Sequence, residues 1–241
     1  MTGKLKLLFP LLLICLSIPI SQAQHQLLME EKVDDYTEKN WGANKRHYIE
    51  TRAFYGQGIN NPVKYYPLKT MGSSEFELGL RYKLKISPIL STGLGAGYFN
   101  QSFRVDTEEK TFPDDNIYDK EVFRVNSLNS KIYLRINIDP KRGNFIGKYF
   151  EAGVFGCWSF SQKRIMLTKY NDNEDTGINK SREIHSGLSY IDKIQYGAYL
   201  SIGIAGYEVT YRHRLSRIIK EEANDYDFSP NTIGISISLD F

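Results

Sequence analysis

The stretch that decides the fold is Glu75-Phe76-Glu77-Leu78-Gly79-Leu80-Arg81-Tyr82-Lys83-Leu84-Lys85-Ile86. Apolar side chains occupy every second position, and charged residues or glycine fill the positions between them. Because successive side chains of a β-strand point to opposite sides, the stretch predicts a long strand with one apolar and one charged face. In a soluble sheet other protein must cover the apolar face, whereas in a membrane barrel that face meets lipid and the polar face meets the lumen.

The same alternation recurs in seven further segments of the chain. They are residues 46–55, 89–104, 127–138, 148–160, 191–204, 207–215 and 232–241. Together with 75–86 they make eight strands, an even number such as single-chain outer-membrane barrels have. The sequence therefore predicts an all-β protein, an eight-stranded antiparallel transmembrane β-barrel of the outer-membrane type that follows a cleaved signal peptide.

The connections between these strands alternate between short and long. Short turns are expected at 87–88, 139–143 and 205–206, and long connections at 56–73, 105–121, 165–185 and 216–230. In outer-membrane barrels the short turns face the periplasm and the long loops face outward. The pattern thus predicts a protein of the cell outer membrane with both chain termini in the periplasm.

The N-terminal region has the features of an export signal. Lys4 and Lys6 precede an apolar run over 7–20, and Ser21-Gln22-Ala23 supplies small residues for cleavage. The run is shorter than the roughly 20 residues that a membrane-spanning helix needs. We therefore expect a signal peptide at 1–23, a periplasmic N-terminal arm at 24–45 and the barrel at 46–241.

Charge and cysteine content exclude other classes of protein. The formal net charge is +3, and loss of Lys4 and Lys6 with the signal peptide would lower it by two, to +1. That leaves no basic character to support nucleic-acid binding. Of the two cysteines, Cys15 lies in the predicted signal peptide, so Cys157 would have no internal disulfide partner.

The C-terminal residues carry a family resemblance. The stretch Val209-Thr210-Tyr211-Arg212-His213-Arg214-Leu215-Ser216-Arg217-Ile218 leads through a polar loop to Asn231-Thr232-Ile233-Gly234-Ile235-Ser236-Ile237-Ser238-Leu239-Asp240-Phe241. This ending resembles that of the outer-membrane β-barrel domain common in Bacteroidota, the family that includes the eight-stranded PorT-like proteins. The resemblance implies that Phe241 and the strand before it are read by the barrel-assembly machinery. It carries over no catalytic or binding residue, and some relatives assist secretion or gliding.

The predicted lumen holds charges of both signs. Its acidic side chains are Glu50, Glu75, Glu77, Glu151, Glu208 and Asp240, and its basic ones are Arg52, Arg81, Lys83, Lys85, Lys131, Arg135, Lys193, Arg212 and Arg214. An eight-stranded barrel is just wide enough for side chains to fill, so we expect these charges to pair and to plug it. The surplus of cations leaves a narrow anion channel as an alternative.

The external loops are the expected interaction surface. Loop 105–121 is acidic, and it is interpreted either as a solvated loop or as a site where divalent cations bridge to lipopolysaccharide phosphates or a partner. Asp172, Glu174, Thr176, Gly177 and Glu183 follow the spacing of a calcium-binding EF-hand loop, but the third and fifth positions do not fit. No metal site is therefore expected. Partners are expected among outer-membrane lipid, lipopolysaccharide and a protein that contacts these loops or the N-terminal arm.

Candidate reactive residues do not assemble into a site. His213 and Ser216 resemble the His/Ser pair of lipid A deacylases, but on a continuous strand they point to opposite faces. His25, His47 and His185 lack metal-ligand spacing, and Cys157 is interpreted as packing. Glycine recurs at positions 93, 95 and 97. We interpret these glycines as relieving crowding inside a narrow barrel and not as a loop that binds a nucleotide phosphate. We expect a non-enzymatic interaction protein without cofactors, with a lipid A-modifying enzyme as the alternative.

Overall fold

The computed structural model describes residues 40–59, 66–69, 72–106, 113, 116, 118–169, 180–223 and 227–239. Within these ranges the chain forms only β-strands and their connections. The strands are β1 (His47–Ile59), β2 (Ser74–Lys85), β3 (Leu90–Val105), β4 (Lys120–Asn137), β5 (Tyr149–Lys169), β6 (Lys180–Ser186), β7 (Ile194–Ile204), β8 (Tyr207–Arg214) and β9 (Asn231–Leu239). No helix in the described ranges is long and apolar enough to span a bilayer.

Eight of the strands form a closed antiparallel barrel. Each of these strands pairs with its neighbour in the chain, β5 pairs with β7, and β9 pairs with β1 to complete the circle. Strand β6 lies outside this circle, because it pairs only with the Lys163–Lys169 part of β5. The predicted eight-stranded antiparallel barrel is confirmed.

Several strands extend further than predicted at the ends that adjoin the long connections, so these predicted limits were wrong. Strand β4 begins at Lys120 instead of residue 127, and β5 continues to Lys169, past residue 160. The pairing of β4 with β5 shifts register between Asn126 and Ser127, which marks a β-bulge. The extra residue lies on β5 between Ser159 and Ser161, where it reverses the in-out alternation, so the period of two breaks off although the strand continues. On β4 the alternation continues, but Phe123 and Val125 face inward and Arg124 faces outward, so the apolar and polar faces are exchanged.

Away from the bulge, side chains alternate between the two faces of the barrel wall. On β2, Leu78 and Leu80 point outward and are exposed, whereas Arg81 and Lys83 point inward and are buried. The other barrel strands follow the same rule, with large apolar residues such as Ile132, Val154 and Leu200 outside. The wall is therefore apolar on the outside and polar on the inside, the inverse of a soluble globule.

The connections give the barrel two different ends. The short-turn end carries the connections 86–89, 138–148 and 205–206 together with the start of β1 and the end of β9. The long-loop end carries the connections that follow β1, β3, β5 and β8. At the tightest turn both Ala205 and Gly206 have positive φ, 49° and 89°, as a two-residue type I′ hairpin requires.

This turn gives a matched pair of stability predictions. Gly206→Ala should destabilise the protein by about 1–2 kcal/mol, because a side chain disfavours the left-handed conformation. The cost should come from the backbone, since an added Cβ would meet only Ser238, at 3.6 Å. Ala205→Asn should instead stabilise by some tenths of a kcal/mol, because asparagine tolerates positive φ. Urea unfolding of both variants measures this, and equal effects of the same sign would contradict it.

Candidate functional site

The centre of the lumen is a cluster of three arginines and three glutamates, which we call the central cluster. Its members are Glu50, Arg52, Arg81, Arg135, Glu151 and Glu208, and all of them are buried. Arg52 lies 2.9 Å from Glu50 and 2.6 Å from Glu208, and Arg135 lies 3.0 Å from Glu151. Arg81 connects the group around Arg52 with the group around Arg135, since it contacts Glu151 and lies 3.3 Å from Glu208. Opposite charges thus cancel within one continuous network.

Tyrosines complete the hydrogen bonding of the central cluster. The Tyr149 hydroxyl donates to Glu208 Oε2 at 2.9 Å, and the Tyr199 hydroxyl donates to Glu151 Oε1 at 3.0 Å. The guanidinium of Arg135 lies 4.0 Å from the ring centre of Tyr149, within cation–π range. Because buried charges are costly unless their lone pairs and protons are bonded, these rings stabilise the ionised form of the network.

Glycines on facing strands make room for these rings. A Cβ added to Gly93 would collide with the ring of Tyr133, and one added to Gly203 would collide with the ring of Tyr149. Gly95 and Gly97 lie on the same lumen-side positions of β3. The glycine run therefore belongs to a close-packed lumen and not to a helix N-terminus of the kind that binds nucleotide phosphates.

A second buried cluster lies nearer the long-loop end and is also neutral. Glu77 is 2.6 Å from Lys131 and 2.5 Å from Arg212, while Glu75 lies 3.9 Å from Arg212 and accepts a 3.0 Å hydrogen bond from Gln101. A cavity of about 10 Å³ borders Glu75, which is space for a single water molecule. The charged side chains of both clusters are at most 12% exposed.

The surplus of lumen cations expected from the sequence is not in the middle of the barrel. Lys193 precedes β7 and is exposed, so its assignment to the lumen was wrong. Arg214 pairs with Asp227 at 3.1 Å, and a buried pair missed from the sequence joins Arg164 to Glu121 at 2.6 Å. Lys83 and Lys85 lie at the short-turn end. Asp240 lies outside the described residues.

Residues 40–46 cover the short-turn end, and we call them the inner lid. The ammonium group of Lys83 donates to the carbonyl of Ala43, and that of Lys85 donates to the carbonyl of Asn44 at 3.0 Å. The Asn44 amide donates to the carbonyl of Arg142 at 2.6 Å. The inner lid thus binds Lys83 and Lys85, the two lumen lysines that have no carboxylate partner among the described residues. It forms the last part of the predicted arm 24–45, of which residues 24–39 lie outside the described ranges.

Loss of the Asn44 side chain tests the inner lid. Asn44→Ala removes its hydrogen bonds to Arg142 and to Lys85, the second at 3.0 Å. A hydrogen bond contributes about 1 kcal/mol, and those to charged groups contribute more, so we expect a loss of about 1–2 kcal/mol in urea unfolding. Proteolysis in the 40–46 segment should become faster. Lys141→Ala, an exposed residue of the neighbouring turn, is the control, and an equal effect there would contradict the assignment.

An apolar core closes the long-loop end, and we call it the outer cap. Its buried side chains come from the tops of β3 and β4 and from the connections that follow β1, β6 and β8: Tyr66, Leu68, Phe103, Val105, Phe123, Val125, Leu188, Ile191, Ile218, Ile219 and Phe228. The Phe228 ring stacks on Phe103 with 4.4 Å between ring centres. The loops of this end therefore fold over the barrel and pack against each other.

The residues considered for catalysis have separate partners. His213 Nδ1 hydrogen-bonds Asn231 at 2.8 Å, and the Ser216 hydroxyl accepts a 3.0 Å hydrogen bond from the backbone of Tyr196. Buried Cys157 donates to Asn129 Oδ1 at 3.6 Å, consistent with a packing role. His47 stacks on Tyr82 beside the inner lid, His185 lies exposed on β6, and His25 is outside the described residues.

The expected loop sites are described only in part. From acidic loop 105–121, Asp106 pairs with Lys69 at 3.3 Å, Asp119 accepts a hydrogen bond from the backbone of Lys169, and Glu121 is the buried partner of Arg164. Glu108, Glu109, Asp114 and Asp115 lie outside the described residues. Asp172, Glu174, Thr176, Gly177 and Phe241 do too, while Glu183 belongs to β6. The described residues contain no group of three or more acids, histidines or cysteines arranged to hold a metal.

Comparison with known proteins adds no assignment. No family model matches the chain, and no curated protein is similar enough to match it.

Proposed function

We propose that the chain is a non-enzymatic outer-membrane protein whose barrel is a closed anchor and whose long-loop end binds a partner. The observation that supports this most is the outer face of the wall. Large apolar side chains stand about half exposed on every barrel strand, including Ile49, Leu80, Leu94 and Ile235. So large a continuous apolar surface on a soluble monomer would exceed the usual few hundred Å² by far, whereas lipid would cover it.

The height of the apolar belt fits a bilayer. From β2 into the following turn it runs from Phe76 to the exposed Ile86, which spans about 34 Å along the strand at roughly 3.4 Å per residue. The 35–45° tilt usual in such barrels reduces this to about 24–28 Å, close to the ~25 Å apolar band of outer-membrane barrels. The inverted polarity and the height therefore support the same environment.

The filled lumen argues against transport. The central cluster, the inner lid and the outer cap occupy successive levels of the barrel, so a solute path would have to break buried ion pairs. Breaking one such pair costs about 3–5 kcal/mol. The function would then reside in the loops. Because residues 209–241 resemble PorT-like proteins, we propose more specifically that the protein is an accessory of a secretion system. The signal peptide at 1–23 and assembly through Phe241 belong to the same proposal.

Site-specific labelling in cells tests location and orientation together. In a Cys157→Ser background, single cysteines replace exposed Ser189 at the long-loop end, exposed Lys141 at the short-turn end, and Val154 on the apolar belt. A membrane-impermeant maleimide should label the Ser189→Cys protein in intact cells and the Lys141→Cys protein only after the outer membrane is permeabilised. Val154→Cys should resist until denaturation, although 55% of Val154 is exposed. Rapid labelling of Val154→Cys in native cells would refute membrane insertion.

Two further measurements address the function itself. Purified protein in planar bilayers should give no stepwise conductance, and regular anion-selective steps would overturn the closed-anchor proposal. Crosslinking in intact cells through the Ser189→Cys position should capture a specific protein partner that a cysteine at Lys141 does not capture. Capture of the same proteins from both ends would count against a partner site in the loops.

A further inference from the structure

Beyond the bulge, the outer face of the wall carries basic side chains among the apolar residues Val122, Ile165 and Ile184. Arg124 on β4 lies directly opposite Lys163 on β5, and both are exposed. Their chain neighbours Phe123, Val125 and Arg164 are buried inside the barrel. The two cations therefore point outward, on the same side of the wall as the apolar belt.

The neighbouring outward positions of β3 to β6 add cations. The nearest acids, Asp106 just past β3 and Asp119 just before β4, are bonded to Lys69 and to the backbone of Lys169. Following the strand pairing, the charged side chains on this side are Arg104, Lys120, Arg124, Lys163, Lys169, Lys180 and Arg182, and we call this surface the basic face. The acids of the same strands, Glu121 and Glu183, occupy inward positions. Charge is thus separated between the two sides of the wall at this level.

An external anion would stabilise the cations of the basic face. Like charges directly opposite each other on a sheet are destabilising, and the basic face contains two such pairs, Arg124 with Lys163 and Lys169 with Lys180. Within the residues that the structure describes, neither Arg124 nor Lys163 has an ion-pair partner. This contrasts with the lumen, where nearly every charge is paired.

The position of the basic face along the wall indicates which anion. On β3 and β5 the last belt residues are aromatic, Tyr98 and Phe160, whose rings lie 6.4 Å apart. Above them Asn126 accepts hydrogen bonds from Tyr98 and Asn100, and Arg124 is the next outward residue. Each outward step along a strand is about 7 Å. Aromatic residues mark the membrane–water interface, so the cations lie at headgroup level.

We propose that the basic face, centred on Arg124 and Lys163, binds the phosphorylated headgroup of an outer-leaflet glycolipid of the lipid A type. The inference rests on the proposed outer-membrane location, with the long-loop end outside. An arginine binds two phosphate oxygens through its planar fork, and the ammonium group of a lysine adds a compact charge. A lipid-bound phosphate would also relieve the repulsion between the two cations.

Direct binding of purified lipid A tests the proposal. The folded protein in detergent is titrated with bis-phosphorylated lipid A, and binding is followed by native mass spectrometry. Arg124→Gln/Lys163→Gln should weaken binding at least about tenfold, since each surface cation near an anionic headgroup contributes appreciably. Lys141→Gln/Lys148→Gln makes the same charge change on exposed residues of the short-turn end and should bind like the parent. Monophosphoryl lipid A should bind the parent more weakly.

Two measurements together distinguish an error in the proposed lipid A site from an error in the proposed membrane location. The parent protein is also inserted into zwitterionic phosphatidylcholine vesicles, and its heat-modifiable mobility on a gel reports whether it has folded there. This insertion does not depend on the basic face. If insertion fails, the proposed membrane location is wrong. If insertion succeeds but both double variants bind lipid A equally, the basic face is not the site. Displacement of lipid A by millimolar inorganic phosphate would mean a free-anion site, and destabilisation of Arg124→Gln/Lys163→Gln without lipid would mean that the chain itself supplies the counter-charge.

Discussion

Glu208→Gln should destabilise the folded barrel by about 3–5 kcal/mol, the usual cost of removing one partner from a buried ion pair. Glu208 accepts hydrogen bonds from Arg52 at 2.6 Å, from Arg81 at 3.3 Å and from the Tyr149 hydroxyl at 2.9 Å. Glutamine has nearly the same shape, so the effect should come from charge. Two guanidinium groups would lose their shared carboxylate, and the central cluster would carry an uncompensated positive charge.

A double-variant cycle separates charge balance from packing. Arg52→Gln combined with Glu208→Gln removes one charge of each sign, so the pair should destabilise by less than the sum of the single changes, with a coupling of about 0.5–3 kcal/mol. Urea titration of protein folded in lipid vesicles provides the free energies of unfolding. Glu222→Gln, at an exposed position of the loop after β8, is the control. Strict additivity, or a Glu208→Gln effect no larger than that of Glu222→Gln, would show that the network does not hold the lumen together.

The sequence predicts the wall of the barrel because that part depends on local alternation. Every second residue from Phe76 to Leu84 is apolar, and this alone assigns the outer and inner faces of β2. The same alternation predicts that the lumen contains both acidic and basic side chains. Their partners could not be predicted, since Arg52 and Glu208 are 156 residues apart in the chain. Which acid meets which base depends on the stagger of strands around the circle, which no single segment encodes.

The two ends of the barrel were predicted least well. Strand β6 carries one large apolar residue, Ile184, so it has no alternation to detect. The inner lid is fixed by backbone carbonyls that accept from Lys83 and Lys85, and a carbonyl is common to every residue. The outer cap joins Leu68, Ile191 and Phe228 from connections far apart in the chain. The basic face was hidden because the bulge opposite Asn126 changes the in-out phase of β5, and because the inward side chains of β4 become apolar at the same level.

Leu200→Arg should destabilise the protein in lipid by about 2–4 kcal/mol, the cost of an arginine on the lipid side of a barrel near the bilayer midplane. Leu200 lies on β7 between Ile194 and Ile204, and 61% of it is exposed. Its neighbours across the sheet, Ala152 and Tyr211, also point outward, and neither of them is an acid that could pair with the charge. The measurement is urea unfolding of the variant in phospholipid vesicles.

The size of this loss of stability distinguishes a membrane barrel from a soluble one. In water, exchange of an exposed leucine for arginine changes stability by no more than about 0.5 kcal/mol. Ile184→Arg, at a 48% exposed position on β6 beyond the belt, should show this small effect even in vesicles. A large loss at Leu200 together with a small one at Ile184 requires the hydrocarbon to begin between the two levels. Small changes at both positions would mean that water covers the apolar belt, and the membrane proposal would then be wrong.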